Sequence, residues 1–523
     1  MDKTGAPMQK MEVEGKQPQP DYGAGLNKRG DSAHQDVESH LVRKSLVDAK
    51  GYVRDEREQY DDDGHVQRTG TFWTAASHII TAVIGSGVLS LAWAVMYLGW
   101  VAGPLLLIAF AIITWYYSVM LVDAYRYPNV DGPTRNYTYI EAVRRYLGKP
   151  YEVCCGLVQY INMFGTGIGY TVTGAISIVA IQRGNCLRAT GADPSGTECT
   201  YTNNYMIIFF GGLQLILSQI QDFDRLWWLS VLAAVMSFTY SFIGLGLSIA
   251  KTAEWKDGHS TGTVDGIQVP GDTTWSDKGW NITVALGSIA FAYSYSYILL
   301  EMTDTVKYPE NKPMRKAVGV SVAVTTFFYI AVGVFGYAAF GNNNPGTPGN
   351  LLAGGGFINP YWLIDLANAA IFIHLLGELP VWTQPLFSFV EQRIFMNFPN
   401  AMWMQKDLAS FYVPGLGLFR INVFRLLWRS LYVALTTLLA ALLPFFNDIV
   451  GLLGAVGFWP LTIFFPTQIY MVQNGIQRWS FHWAYLQAIS MFCLVVSIAA
   501  AVGSVKGIIT DAANYAPFQS VQG

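Results

Sequence analysis

Charge is what this sequence has least of. Asp, Glu, Lys and Arg make up 13% of its 523 residues, about half of the roughly 25% usual in soluble domains. With 52% hydrophobic residues beside that deficit, the composition fits a polytopic membrane protein better than a water-soluble body. Cysteine is scarce as well, and five residues are too few for a disulfide scaffold. No basic block offers a nucleic-acid surface, and a net charge of −3 says nothing about partners. Metal-ligand spacing, a nucleophile elbow and a phosphate loop are all missing, so no cofactor, no metal and no enzyme chemistry is expected. The glycines around 346–356 lack the Lys-Thr or Lys-Ser that a phosphate loop needs. The first 70 residues have no apolar core of the kind a signal peptide requires. They are polar and run into Asp61-Asp62-Asp63-Gly64, so residues 1–70 are expected to form a largely disordered tail.

Long apolar segments fill the rest. A hydrocarbon core about 30 Å thick takes about 20 apolar residues per helix. Eleven candidates satisfy that length, near 72–97, 99–125, 152–182, 204–220, 227–250, 280–302, 317–340, 360–390, 426–445, 447–472 and 481–508. The fold class expected is therefore an all-α polytopic membrane protein, with a transmembrane domain over 71–508 in the lipid bilayer and a short tail over 509–523. Loop charge orients it. With the N-terminus in the cytosol, 27 of the 33 Lys and Arg residues fall on the cytosolic side, and an odd number of spans leaves the C-terminus outside. Cys186 and Cys199 then share an outer, oxidising loop, where a disulfide is expected and two free thiols are the alternative.

The segment Thr81 to Trp93, TAVIGSGVLSLAW, carries Gly-Ser-Gly at Gly85, Ser86 and Gly87. Glycines weaken a helix where lipid tolerates no free backbone group, so a break there belongs against a protein cavity. Secondary transporters bind solute at such breaks, and inverted repeats call for a second one. It is expected in the sixth span, at Gly287-Ser288 or over Phe291, Ala292, Tyr293, Ser294, Tyr295 and Ser296. The second lies five spans after the first and runs in the opposite direction, as a five-plus-five inverted repeat with one extra helix requires. The alternative for each glycine pair is close helix packing. At the first break the N–H groups of Ser86, Gly87 and Val88 suit a carboxylate, and the carbonyls near Val83 and Ile84 suit an ammonium. A zwitterionic amino acid fits both.

The stretches TGTFWTAASHIITAVIGSGVLSLAWAVMYLGWVAGP, WWLSVLAAVMSFTYS, FAYSYS and PFFNDIVGLLGAVGFWPLT resemble the plant amino acid permeases of the amino acid/auxin permease family. The likeness runs from about Asp61 to Phe518. It implies an eleven-helix, five-plus-five fold and a proton-coupled plasma-membrane importer of neutral and acidic amino acids. One stretch departs from the family pattern. After His374-Leu375-Leu376-Gly377 a small residue, Tyr and Gln are expected, and this chain has Glu378, Leu379 and Pro380.

Ionisable groups inside a membrane are expensive and mark function. Glu378 and His374 lie one turn apart on one helix face and are the candidates for proton coupling. A Glu in a wet vestibule and a neutral, hydrogen-bonded His are the plainer alternatives. Tyr295 and Glu301 are candidate gates. Asn162, in the small, polar stripe with Gly165, Thr166, Gly167 and Gly169, is a candidate solute ligand, although helix packing explains the glycines equally well. The function expected is a proton/amino acid symporter working by alternating access, with composition leaving Na⁺ open as the coupling ion. The other class considered is an amino acid sensor that signals through the tail, and deleting residues 1–60 separates the two. No obligate protein partner is evident.

Overall fold

The computed structural model describes residues 67–515, apart from 86, 192–198, 221–226, 255–261, 268–273, 343–349, 354–355, 358, 399–406 and 414–416. The chain divides at Gln67/Arg68, and the second unit is the one described here. The tail over 1–66, Ser86 and the residues after 515 lie outside the described residues.

The helices follow from apolar runs with a polar cap at their starts. Thr71 caps α1 (Phe72–Val83) in a reciprocal box with Thr74, and Thr274 caps α7 (Trp275–Ala292) with Asp277. Between them lie α2 (Gly87–Asp123), α3 (Tyr139–Leu147), α4 (Lys149–Thr190), α5 (Asn203–Leu217) and α6 (Trp227–Ala253). After α7 come α8 (Leu299–Thr303), α9 (Asn311–Phe340), α10 (Tyr361–Asn397), α11 (Val423–Leu442), α12 (Phe446–Gly457), α13 (Phe465–Gln473) and α14 (Phe481–Asn514). α2 is two helices in one run, because Gly99 sits at φ 81°, ψ −179°. A Cβ there would collide with the backbone of Val264 and Gly266, so glycine alone fits. The last helix runs to Asn514, beyond the expected end at 508. Two antiparallel hairpins lie between helices: β1 (Arg126–Tyr127) with β2 (Thr134–Arg135), and β3 (Asp407–Val413) with β4 (Gly417–Asn422). Among the described residues nine helices are long and apolar enough to cross a membrane, and α1 and α5 are shorter apolar helices.

The Gly287-Ser288 pair is not a break. α7 runs helically through it to Ala292. Gly287 instead lets α7 lie against α12, where a side chain would strike the backbone of Gly451, so close packing is the physical reason for that glycine. α10 likewise runs through Pro380 and Pro385. A proline cannot donate to the carbonyl one turn back, and Gln214 Nε2 supplies that bond to Leu376 O at 3.2 Å.

Two polar networks bind the helix ends. Buried Arg429 of α11 donates to Glu391 of α10 at 2.7 Å and to the carbonyls of Ser218 and Ile220, just after α5, at 2.8 and 2.6 Å. Arg425 meets the other Glu391 oxygen at 3.1 Å. Removing one member of a buried pair strands the other charge. Arg429→Met is therefore expected to destabilise the fold by about 3 kcal/mol, the lower end for a broken buried pair because Arg425 stays. Thermal unfolding in detergent checks this, and an unchanged midpoint would refute it. In the second network the backbone before α1 joins the loop after α8: Gly70 N donates to Thr305 O at 3.0 Å, and Lys307 N to Gly70 O at 2.9 Å. Arg68 and Arg126 both pair with Glu310, and Arg315 pairs with Asp123. Tyr125 Oη donates to Asp304 at 2.6 Å. Burial, with the Asp304 carboxylate adding to it, pushes the Tyr125 hydroxyl up, so it stays a donor.

Candidate functional site

α1 ends where helical geometry fails at Ile84, with φ −81° and ψ 68°. Gly85 is a bend and α2 opens at Gly87. Gly87 and Val88 occupy the first turn of α2, where N–H groups have no helical carbonyl behind them. Ser86, expected among these donors, lies outside the described residues. The second break follows Ala292. Tyr293 (φ −98°, ψ 4°) and Tyr295 (φ −120°, ψ −3°) leave the helix before a short 3-10 turn, Ser296–Ile298, leads into α8. The two breaks touch: a Cβ on Gly87 would stand 3.0 Å from Ala292 Cα and 3.1 Å from its Cβ.

The carbonyls at the end of α1 are not free, contrary to the expectation that they stand open to an ammonium. Tyr329 of α9 donates to Val83 O and, at 2.9 Å, to Ala292 O, so one hydroxyl serves both breaks. Tyr240 of α6 donates to Ile84 O at 2.9 Å and Gly85 O at 3.1 Å. Ser237 reaches Ile84 O at 3.0 Å and its own helix at Ala233 O. A hydroxyl has a single hydrogen, so each of these donors is shared between two acceptors. Val83 O also accepts from the Gly85 N–H at 2.9 Å; where a hydroxyl is shared, acceptor capacity is left over that a donor with three hydrogens would satisfy.

Around Gly85 the wall is aromatic. A Cβ on Gly85 would lie 2.9 Å from Tyr170 Oη of α4 and 3.8 Å from His374 Nε2 of α10. His374 is buried, and its Nδ1 is 2.8 Å from Ser237 Oγ and 3.0 Å from Ala233 O. Its Nε2 has no hydrogen-bond partner. One turn on, Glu378 is wholly buried and neither carboxylate oxygen is hydrogen-bonded. The Trp382 indole stands beside it, and Trp382 packs on Tyr297 with ring centroids 4.9 Å apart. Glu378 is also close enough to Tyr170, Tyr240 and Tyr297 for its charge to bear on each.

The other expected residues fall in different places. Phe291 is half-buried at the end of α7 and Ala292 faces Gly87. Tyr293 stacks edge-on to Tyr329 at 5.1 Å and donates to Thr326 at 3.2 Å. Ser294 spends its hydroxyl on Ala290 O at 2.7 Å. Tyr295 is fully buried beside Ser118. Asn162 is turned to α12, with its amide on Leu453 O at 2.9 Å and Gly457 against it. Among the described residues Glu301 forms no ion pair. It accepts from the Tyr139 N–H at 3.3 Å, at the start of α3. Cys186 and Cys199 are joined as a disulfide, with Cα atoms 5.8 Å apart. Near it a cavity of about 40 Å³ is lined by Arg183, Tyr361 and Asp365, away from both breaks. Tyr170, Ser237, Tyr240 and Tyr329 were not among the expected site residues. The available signal was a tyrosine or serine deep in an apolar span, too far from its ends for interfacial anchoring.

The sequence profile of the family described as "Transmembrane amino acid transporter protein" matches residues 68–510. Amino acid permease 3 of Arabidopsis thaliana is 53% identical over 463 residues, covering 88% of this chain and 95% of that one. Amino acid permease 2 of the same plant is 49% identical over 465 residues, covering 88% and 92%. The fold resembles the crystal structure of MhsT in complex with L-phenylalanine, with a TM-score of 0.54 at 11% identity over 84% of this chain and 99% of that one. At that identity the likeness is one of fold alone. These relatives are transporters rather than enzymes, and the length and depth of the match show that this chain belongs to the transmembrane amino acid transporter family.

Proposed function

We propose that this protein is a proton-coupled symporter that carries amino acids across the plasma membrane by alternating access. One observation carries the reading: two helix breaks meet at Gly87 and Ala292 and share the Tyr329 hydroxyl. The names of its relatives support the substrate class. Taking α1 with the first part of α2, α7 with α8, and α12 with α13 as single crossings, and leaving out the short α3, gives eleven. These are arranged as five-plus-five inverted repeats with one extra helix, the N-terminus cytosolic and the C-terminus outside. The solute carboxylate meets the N-terminal turn of α2 at Gly87 and Val88. Its ammonium meets the shared carbonyls of Val83, Ile84 and Ala292. Neutral amino acids, and acidic ones by the family likeness, are the solutes, and the proton is carried at the His374–Glu378 face.

Expression in oocytes under voltage clamp tests this. Adding an amino acid at acidic outside pH is expected to give a saturable inward current that persists without Na⁺. Absence of current with every amino acid would reject the proposal, and a strict Na⁺ requirement would reject the proton.

A further inference from the structure

A buried carboxylate without a hydrogen bond or a counter-ion is an expensive group, and a protein keeps one only if something else neutralises it. Glu378 is such a group. It is fully buried, and among the described residues neither oxygen is hydrogen-bonded and no ion pair reaches it; the Trp382 indole is the polar group beside it. The groups beside it are hydroxyls and rings: Tyr170 from α4, Tyr240 from α6, Tyr297 from the 3-10 turn, and His374 and Trp382 on its own helix. A Cβ on Gly85 would lie 3.8 Å from His374 Nε2, and Glu378 stands one turn, about 5.4 Å, further along α10. An extended lysyl or arginyl side chain spans that length. A solute whose ammonium is held at the break would therefore set a side-chain cation at Glu378.

We propose that Glu378 is a side-chain subsite for cationic amino acids, and that a cation on the solute takes the place of the coupling proton. This rests on the transport reading above and names a substrate class for the same site. With a neutral solute, a proton from outside binds the Glu378 carboxylate, crosses with the solute and is released inside. With lysine or arginine the side chain brings the positive charge, and no proton is carried. Each mode moves one net positive charge.

Norleucine and lysine separate the two modes, because they match in length and differ in side-chain charge. Currents and intracellular pH are recorded together in oocytes that express the full chain. In the wild type, norleucine current should rise as outside pH falls and should acidify the cell. Lysine should give a comparable current with little or no acidification. In Glu378→Gln the lysine current should fall at least tenfold. Norleucine uptake should persist but lose its pH dependence. Glu378→Asp should keep lysine transport at a higher half-saturating concentration. Three results would overturn the inference: a wild type that carries norleucine but not lysine, acidification with lysine equal to that with norleucine, or a Glu378→Gln lysine current equal to wild type at equal surface level. If Glu378→Gln does not reach the surface, the wild-type acidification and Glu378→Asp still decide. Failure to carry norleucine as well would instead bring down the transport reading.

Discussion

Gly87→Leu is expected to abolish uptake while the protein still reaches the membrane. At this position the two breaks come within van der Waals distance, since a single Cβ would already lie 3.0 Å from Ala292 Cα. That neighbour is backbone and cannot swing aside as a side-chain tip could. Overpacking of this kind costs about 1–3 kcal/mol, which leaves most folds standing. The geometry suffers more. Pushing the breaks apart displaces the N–H groups of α2 from the carbonyls of Val83 and Ala292, and a 1 Å misplacement in a site costs on the order of 100-fold in rate. Radiolabelled uptake, normalised to surface-biotinylated protein, should fall by about that factor. Gly169→Ala on α4, where a Cβ would meet nothing within 4 Å, should transport normally. Wild-type uptake by Gly87→Leu would show that the contact between the breaks is not part of the site.

Tyr329→Phe is expected to have the second large effect. The substitution keeps the ring stacked on Tyr293 and removes the hydroxyl that serves Val83 O and Ala292 O. A buried acceptor stripped of its donor costs about 1–3 kcal/mol; Ala292 O loses the hydroxyl, while Val83 O keeps the Gly85 N–H at 2.9 Å. Both the thermal midpoint in detergent and the uptake rate should drop, the latter by roughly 10- to 100-fold if that cost falls on the transport-competent state. Tyr293→Phe provides the comparison, because among the described residues that hydroxyl reaches only the Thr326 side chain. Its loss leaves no backbone carbonyl unpaired and should be milder. Equal, small effects from the two changes would refute the bridging role of Tyr329.

Part of this site is legible in the residue order. A Gly-Ser-Gly in an uncharged span marks a place where a helix gains little from continuing, and α1 does stop before it. The Tyr-Ser run of the sixth span marks the second break, although the structure puts it after Ala292 and not at Gly287. That glycine serves the packing of α7 on α12. Periodicity does not separate the two uses of glycine, since each is an absent side chain and only the neighbour differs. Asn162 teaches the same lesson. It lies in a polar stripe of α4 as expected, but its amide is bound to Leu453 on α12. A polar residue in a span announces that it has a partner without saying which one.

The sequence by itself determined the membrane class, the segments long enough to span, where two helices are weak, and that Glu378 and His374 share one face. These are local properties, set by composition and by spacing within about one or two turns. Tertiary structure decided what those places are made of. The carbonyls near Val83 and Ile84 looked open in the sequence, and they are held by Ser237, Tyr240 and Tyr329, from helices that begin well over a hundred residues later. Glu378 could have been a solvated or paired carboxylate, and folding left it buried without either. The reason is that in a medium without water every backbone group must find its donor within the protein. Which hydroxyl arrives, and which charge is left unmatched, follows from how whole helices pack.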